Sequence, residues 1–256
     1  MVRHNDPEPI SEDIPMRMHQ LTPSIPMTSG RGIGFLLAAV LLAGFSARAN
    51  AQYAGATTYL GSYSSTVPAK PMDLEELVTD MKKGGYVIVL RHGATNADQA
   101  DTDPFHLDYI ASQRLLSEKG RDVAKRVGDS FRTLGIPLGK VYSSEFNRAT
   151  ETAQLVSGKA PTTTPDLTEG GLVVSPTENA RRAKALKALA AVVPEAGSNT
   201  LIVTHKPNIL DAFGEDWFAS KEGEASVFRP DGSNNLVLVA RVQAVDWITA
   251  GGEQRP

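Results

Sequence analysis

Two histidines stand where buried β-strands are expected to end. His92 follows the run YVIVLR and His205 follows TLIVT, and both runs are apolar and rich in β-branched residues, which is typical of strands buried on both faces. The carboxyl ends of parallel strands meet at one edge of an open α/β sheet, where ligands bind. A lone histidine after a strand is usually a structural residue. A neutral imidazole is, however, a competent nucleophile toward phosphorus, and two such histidines at one sheet edge, together with nearby arginines, favour a site for phosphoryl transfer.

Two arginines accompany these histidines. Arg91 directly precedes His92, and Arg148 comes shortly after a third predicted strand. The planar guanidinium is the side chain best shaped for bidentate contact with phosphate. Taken alone, Arg148 could instead pair with Glu145 or Glu151 on the surface of a solvated helix.

The order of these motifs resembles that of the histidine phosphatase superfamily, which includes the cofactor-dependent phosphoglycerate mutases and the histidine acid phosphatases. The resemblance covers about residues 86–208. It rests on four blocks in order, namely Arg91-His92-Gly93-Ala94-Thr95, Leu116-Ser117-Glu118-Lys119-Gly120-Arg121, Ser143-Ser144 with Arg148-Ala149 and Thr152-Ala153, and Val203-Thr204-His205. An Arg-His-Gly tripeptide alone is weak evidence, whereas the ordered set after a buried strand is specific.

The resemblance implies a role for each matching residue. His92 would be the nucleophile, Arg91 and Arg148 would clamp the phosphate, and His205 would be a second imidazole on the phosphoryl oxygens. Together they would neutralise a transition state whose charge is spread over those oxygens. The implied intermediate is a phosphohistidine that water hydrolyses.

Glu169 is the expected proton donor to the leaving group. In the mutase-like branch a glutamate lies beyond the second arginine after a strand-like stretch, and the segment DLTEGG resembles that context. The acid phosphatase branch has an aspartate directly after the second histidine, whereas Lys206 follows His205 here. Asp166 and Asp211 remain alternatives for the donor, and Glu169 could also be an ordinary solvated loop residue.

The composition excludes several other chemistries. Lys and Arg number 26 against 29 Asp and Glu, a net charge of −3 that gives no electrostatic reason to expect nucleic acid or an anionic membrane as partner. The chain has no cysteine, which excludes disulfides, thiolate metal sites and thiol nucleophiles. His106 with Asp98, Asp101 and Asp103 shows no recognisable ligand spacing, so we expect a solvated loop there and neither metal nor cofactor.

The elements that must position these residues predict an α/β fold. Asp73 and Ser117 are typical N-caps, and Gly135 is typical of a helix end. Further helices are predicted over 148–156 and 179–193, and further strands over 140–143, 225–229 and 236–242. The last two strands are joined by the turn sequence PDGS. We therefore expect a single domain with a mainly parallel central sheet, helices on both faces and an antiparallel edge.

The N-terminal sequence predicts export. Arg31 precedes the apolar run 33–45, and Ala49-Asn50-Ala51 follows with small residues at the positions that a signal peptidase reads. The run is shorter than the ~20 residues of a transmembrane helix, so we expect cleavage after Ala51, a periplasmic or secreted protein and no stable membrane span. The polar start of the chain is unusual for a signal peptide, which suggests translation from Met16, Met18 or Met27. The predicted organisation is a signal peptide over 1–51, a flexible arm over 52–71 and a histidine phosphatase-like domain over 72–256.

The sequence thus predicts a phosphomonoester hydrolase acting on a small-molecule or glycan phosphate ester, for example a phosphorylated envelope glycan. The alternatives are a phosphomutase or phosphotransferase of the same chemistry, and a catalytically weak phosphate-binding envelope protein. The stretches 94–114 and 170–178, where specificity loops are expected, carry no pattern that names the substrate.

Overall fold

Six strands form one sheet in the part of the chain that the computed structural model describes, residues 71–170 and 173–254. The strands are β1 (Val87–Arg91), β2 (Leu138–Ser143), β3 (Thr162–Thr163), β4 (Asn199–Thr204), β5 (Ala225–Pro230) and β6 (Leu236–Val242). Their order across the sheet is β3-β2-β4-β1-β5-β6. The first four strands are parallel, and β5 and β6 form an antiparallel edge. The predicted fold class is confirmed.

Helices connect and cover these strands. They are α1 (Leu74–Met81), α2 (Glu118–Leu134), α3 (Asn147–Ser157), α4 (Pro176–Ala190), α5 (Lys206–Phe213) and α6 (Ala244–Ala250). The side chain of Asp73 accepts the amide of Glu76 at 2.8 Å, and Ser117 Oγ accepts the amide of Gly120 at 3.0 Å. Gly135 ends α2 with φ +70°, a conformation that suits a residue without a Cβ. The predicted caps therefore set these helix ends.

The sheet is buried on both faces, and β1 shows how. Ile88 and Leu90 belong to the apolar cluster that contains residues of α2 and α3, whereas Val87 and Val89 belong to the cluster that contains residues of α4 and α5. Successive side chains of a strand point to opposite faces, so a continuous apolar run is what a strand between two helical layers requires.

Some predicted boundaries were wrong. The helix predicted over 179–193 begins at Pro176 and ends at Ala190. Its start is earlier because Ser175 Oγ caps the amide of Glu178 at 3.2 Å, and because proline is well suited to the first turn. The seven-residue α6 and the two-residue β3 were not predicted, since such short segments carry little periodicity.

The N-terminal predictions are not tested by the fold. The signal peptide over 1–51 and most of the arm over 52–71 lie outside the described residues. Within the described ranges, none of the helices combines the length and apolar character that a membrane crossing needs.

Candidate active site

The two strand-end histidines meet at the carboxyl edge of the sheet. The amide of His92 donates to Thr204 O at 3.0 Å, so the register of β1 against β4 places it beside His205. The two ring centroids lie 5.1 Å apart. Both side chains are buried, with exposures of 2% and 0%. The predicted juxtaposition is therefore present.

His92 is held as a neutral imidazole. Burial lowers the pKa of His92 well below its ordinary value of 6.5, and the neighbouring His205 lowers it further. Its Nδ1 lies 2.8 Å from Gly93 O. Because a carbonyl oxygen only accepts hydrogen bonds, Nδ1 must carry the proton. The lone pair is therefore on Nε2, where a phosphorus atom can be attacked.

His205 is a second neutral imidazole. Burial lowers its pKa well below 6.5, and Arg148, Arg114 and Arg91 lower it further. The ring packs edge to face with Phe146, with centroids 5.4 Å apart. It is therefore fixed in orientation and uncharged.

Arg148 lies in the first turn of α3 and is completely buried. Its guanidinium stacks on the ring of Phe146, with Cζ 4.0 Å from the ring centroid. Nη1 donates to Asp101 Oδ1 at 3.0 Å, and Nη2 donates to Glu169 Oε1. Arg148 is therefore an interior residue in direct contact with Glu169.

The alternative surface pairing of Arg148 is thereby excluded. Glu151 instead accepts a hydrogen bond from Arg121 Nε at 2.6 Å, and Glu145 lies beside Thr168 at 3.4 Å.

Arg91 is the last residue of β1 and directly precedes His92. Its Nη1 donates to Ser220 O at 2.7 Å, and Nη2 lies 3.6 Å from Glu222 Oε1. This segment between α5 and β5 fixes the direction of the guanidinium.

Two pocket residues were missed by the sequence reasoning. Arg114 acts electrostatically on both Arg91 and His205. It stands just before the block that begins at Leu116, and Leu116 pairs with Thr95 in an isolated β-bridge. The position of Arg114 next to this sequence block could have identified it as a candidate site residue.

Asp101, which was predicted to lie in a solvated loop, is the second. It accepts hydrogen bonds from the Arg148 guanidinium at 3.0 Å and from the Arg114 amide at 2.9 Å. Nothing in the local sequence distinguishes Asp101 from the neighbouring aspartates.

Glu169, the expected proton donor, lies beside two other predicted site residues. One carboxylate oxygen accepts from Arg148 and lies 3.5 Å from His205 Nδ1. The backbone before it is fixed, because Thr204 Oγ1 donates to Leu167 O at 2.6 Å and Arg182 Nη1 donates to Thr168 O at 2.7 Å.

The alternative donors lie elsewhere. Asp166 accepts from Arg181 Nη2 at 2.6 Å in a pair whose side chains are both substantially exposed. Partial burial raises the pKa of Asp211, but Asp211 lies on α5 and forms no hydrogen bond or ion pair with the site residues that the structure describes. The geometry therefore favours Glu169 over both.

Several buried donors of the site have no acceptor in the described protein. They are Arg91 Nε, Arg148 Nε and His205 Nδ1. A buried donor without an acceptor is costly, and an anion with several oxygens would satisfy such donors at once. The arrangement suits a phosphoryl group in front of His92.

The described residues contain no group of three or more His, Asp or Glu side chains suited to holding a metal ion. His106 lies 2.7 Å from Asp103 in an exposed pair, and Asp101 is turned instead toward Arg148.

Part of the chain is similar to known proteins. Residues 87–175 match the family described as the histidine phosphatase superfamily (branch 1). The mitochondrial serine/threonine-protein phosphatase Pgam5 of Drosophila grimshawi is 37% identical over 75 residues, which are 29% of this chain and 23% of that protein. The protein of the same name from Drosophila persimilis is 37% identical over 84 residues, or 33% of this chain and 25% of that protein. The chain thus spans about a quarter of the length of these curated relatives.

The similarity to solved structures is lower in sequence identity but covers more of the chain. The protein histidine phosphatase SixA complexed with tungstate aligns with a TM-score of 0.45 at 20% identity, over 62% of this chain and 97% of that one. A phosphoserine phosphatase from Entamoeba histolytica in complex with 3-phosphoglyceric acid aligns with a TM-score of 0.44 at 17% identity, over 62% and 98%.

Proposed function

We propose that this chain, whose residues 87–175 match the histidine phosphatase superfamily, hydrolyses phosphate monoesters by way of a phosphohistidine at His92. The observation that carries the proposal is a pair of buried neutral histidines, with ring centroids 5.1 Å apart, in a site where Arg91 Nε, Arg148 Nε and His205 Nδ1 are buried without an acceptor among the described residues. A phosphoryl group supplies the missing acceptors and places its phosphorus before the lone pair of His92.

In the first step, the lone pair of His92 Nε2 forms a bond to phosphorus as the bond to the leaving oxygen breaks. The proton on Nδ1 stays hydrogen-bonded to Gly93 O, which stabilises the positive charge that develops on the ring. Glu169, which in this proposal is protonated when the ester is bound, gives its proton to the leaving oxygen, so that the product alcohol departs neutral.

Fixed donors stabilise the charge on the transferring group during this step. Arg91, Arg148 and His205 surround the phosphoryl oxygens with two guanidinium groups and one imidazole, held in place by the contacts described above. Since these groups are already oriented, little reorganisation is needed in the transition state.

In the second step, water attacks phosphorus in line with the bond to His92. Glu169, now a carboxylate, takes a proton from that water, and the electrons of the P–N bond return to Nε2. Inorganic phosphate leaves and neutral His92 is regenerated.

The decisive experiment traps the intermediate. The protein is mixed with a ³²P-labelled aryl phosphate, quenched in alkali and tested for acid-labile label. Wild type is expected to carry labelled His92, whereas His92→Ala is expected to carry no label and to lose turnover, because no other pocket group can accept the phosphoryl group. The matched control is His106→Ala, which removes an exposed histidine paired with Asp103 and should label normally. Labelling or substantial turnover in His92→Ala would refute the proposal.

The physiological substrate is a finer proposal. Export through the N-terminal segment would place the enzyme near phosphorylated envelope glycans, whereas the name of the Drosophila relatives points to phosphorylated serine or threonine in proteins. Initial rates with a phosphosugar panel and a phosphopeptide panel separate these two classes.

A phosphotransferase, or a weakly catalytic phosphate-binding protein, would use the same pocket. The fate of the labelled phosphoryl group distinguishes them from a hydrolase. Release as inorganic phosphate supports hydrolysis, transfer to an added alcohol in preference to water supports the transferase, and binding without labelling supports the binding protein.

A further inference from the structure

Ser144 is a buried hydroxyl directly behind the second histidine. It follows β2 and is completely buried. Its Oγ accepts the amide of Phe146 at 3.1 Å and lies 2.6 Å from His205 Nε2. No step of the mechanism above uses Ser144.

These two contacts determine where the hydroxyl proton points. The amide of Phe146 already donates to Oγ, so the hydroxyl must place its own proton on another acceptor. The neighbour that can accept it is His205 Nε2. Nε2 is then the unprotonated nitrogen, and the proton of the neutral ring resides on Nδ1.

The reverse assignment is unfavourable for two independent reasons. If Nε2–H donated to Ser144, the hydroxyl proton would be buried without an acceptor among the described residues. The lone pair of Nδ1 would also face Glu169 Oε1 at 3.5 Å, an oxygen that accepts a hydrogen bond from Arg148, whereas an N–H at that position is attracted to it.

We propose that Ser144 is a positioning residue that fixes the tautomer of His205 with its proton on Nδ1, so that His205 presents an N–H donor to the phosphoryl oxygens beside Glu169. The same nitrogen is a buried atom without an acceptor in the described protein. The catalytic consequence rests on the proposed function, but the tautomer itself does not.

The tautomer can be measured without turnover. The full chain is labelled with ¹⁵N-histidine, and the ring signals of His205 are assigned by their loss in His205→Asn. Two-bond N–H correlations then identify the protonated nitrogen. Wild type is expected to show Nδ1–H, and Ser144→Ala is expected to move a large share of the ring to Nε2–H.

The matched control is Ser143→Ala, which removes an equally buried hydroxyl. Its Oγ contacts Ser144 O and Thr150 rather than the ring, so the tautomer should not change. Ser144→Thr keeps the hydroxyl and should keep Nδ1–H, which also provides a test if Ser144→Ala does not fold.

Kinetics complete the test. Ser144→Ala should lower kcat by on the order of 10- to 100-fold, the scale seen when the partner that orients a functional imidazole is removed, while Ser144→Thr retains most of it. An Nε2–H tautomer in wild type, or an unchanged tautomer in folded Ser144→Ala, would overturn the proposal. Nδ1–H in a wild-type protein without turnover would instead reject the proposed function and leave the positioning role supported.

Discussion

The three arginines of the site differ in what holds them. Arg148 is completely buried between two carboxylates, and Arg91 is tied to a backbone carbonyl. Arg114 is half-buried, and its guanidinium has no hydrogen-bond acceptor among the described residues. Removing each one should therefore separate the stability of the fold from the binding of the substrate.

Arg148→Ala should lower both the stability of the fold and the rate of turnover. Breaking a buried ion pair by removing one partner costs about 3–5 kcal/mol, and losing one preorganised donor lowers turnover by on the order of 10²-fold. Urea denaturation and kcat measured on the folded fraction check the two effects. A stable variant with unchanged kcat would remove Arg148 from the phosphate site.

Arg114→Ala should affect substrate binding alone. The free energy of unfolding should change by less than about 0.5 kcal/mol, since no described hydrogen bond is broken. KM for an aryl phosphate should rise about 10-fold, the scale of one lost hydrogen bond to a charged group. Arg132→Ala, on the exposed side of α2, is the control that should leave KM unchanged. An equal KM in both variants would contradict a substrate contact by Arg114.

Glu169→Gln should show a leaving-group dependence. Without an acid, hydrolysis of an alkyl phosphate should slow by ~10²-fold or more, whereas a nitrophenyl ester, whose leaving group needs no proton, should slow much less. Initial rates on both esters give the ratio.

Asp101→Asn and Asp166→Asn are the comparisons for this measurement. Asp101 shares Arg148 with Glu169, and Asp166 pairs on the surface with Arg181. Equal small losses on both esters for Glu169→Gln, with a strong leaving-group dependence for Asp101→Asn, would transfer the donor role to Asp101.

For individual site residues, the sequence predicts the positions of those that directly follow strands but not the positions of those in loops. The positions of His92 and His205 follow from two apolar runs, because a strand end fixes a location in a parallel sheet. Asp101 could not be predicted, since its approach to Arg148 depends on how a long irregular segment folds back over the sheet.

At the scale of the elements, a glycine in α2 allows this helix to pack closely against the segment that follows His92. A Cβ at Gly120 would lie 2.0 Å from Ala94 O, in the segment that follows His92. A Cβ at Gly128, two turns later, would lie 2.6 Å from Leu155 O on α3. Both positions require a residue without a Cβ, but only Gly120 contacts the segment that follows His92.

Gly120→Ala should therefore lower both stability and activity. Overpacking of this kind costs about 1–3 kcal/mol, which exceeds the gain of about 1 kcal/mol from replacing a helical glycine. The displaced Ala94 backbone should disturb His92, so kcat per folded molecule should fall.

Gly128→Ala is the matched variant in the same helix. It should destabilise the protein to a similar degree and leave kcat per folded molecule unchanged, because its clash lies between α2 and α3. Equal effects of the two variants on kcat would show that the Ala94 contact does not position the nucleophile.

The sequence predicts long elements well and short ones poorly. The caps at Asp73 and Ser117 and the glycine end at Gly135 act through local hydrogen bonds and dihedral angles that neighbouring residues determine. The two-residue β3 forms because its residues pair with Tyr142 and Ser143 of β2. This pairing depends on the tertiary structure, so the local sequence of β3 could not predict it.

For the molecule as a whole, two buried neutral histidines couple stability to pH. The pKa values of His92 and His205 lie well below 6.5 in the folded protein. Above pH 6.5 both rings are neutral whether the chain is folded or unfolded, so they contribute no pH dependence. Below it the unfolded chain takes up protons that the folded protein does not bind, and folding is disfavoured.

The free energy of unfolding should accordingly fall as the pH is lowered from 6.5 toward the folded pKa values, by up to about 2.7 kcal/mol per pH unit for the two rings together. Urea denaturation at several pH values between 7.5 and 5 measures the slope. Replacing both histidines by asparagine should flatten it.

His106→Ala is the control for that slope. Its exposed pair with Asp103 raises the pKa of His106, so its stabilising contribution is complete below pH 6.5 and is lost as the pH rises through the raised pKa. Removing it should leave the acid-side decline in place, and a flat profile in wild type would contradict neutral burial of the rings.

The backbone hydrogen bonds around the nucleophile have a consequence for motion. The amides of Arg91 and His92 donate to Glu224 O and Thr204 O at 3.0 Å each, on opposite sides of β1. We expect these amides to exchange with deuterium only when the whole sheet opens, whereas amides in the exposed 97–111 segment exchange early. The backbone that carries His92 would then remain rigid during turnover. The motions that admit substrate and release product would be confined to the exposed loop segment 97–111.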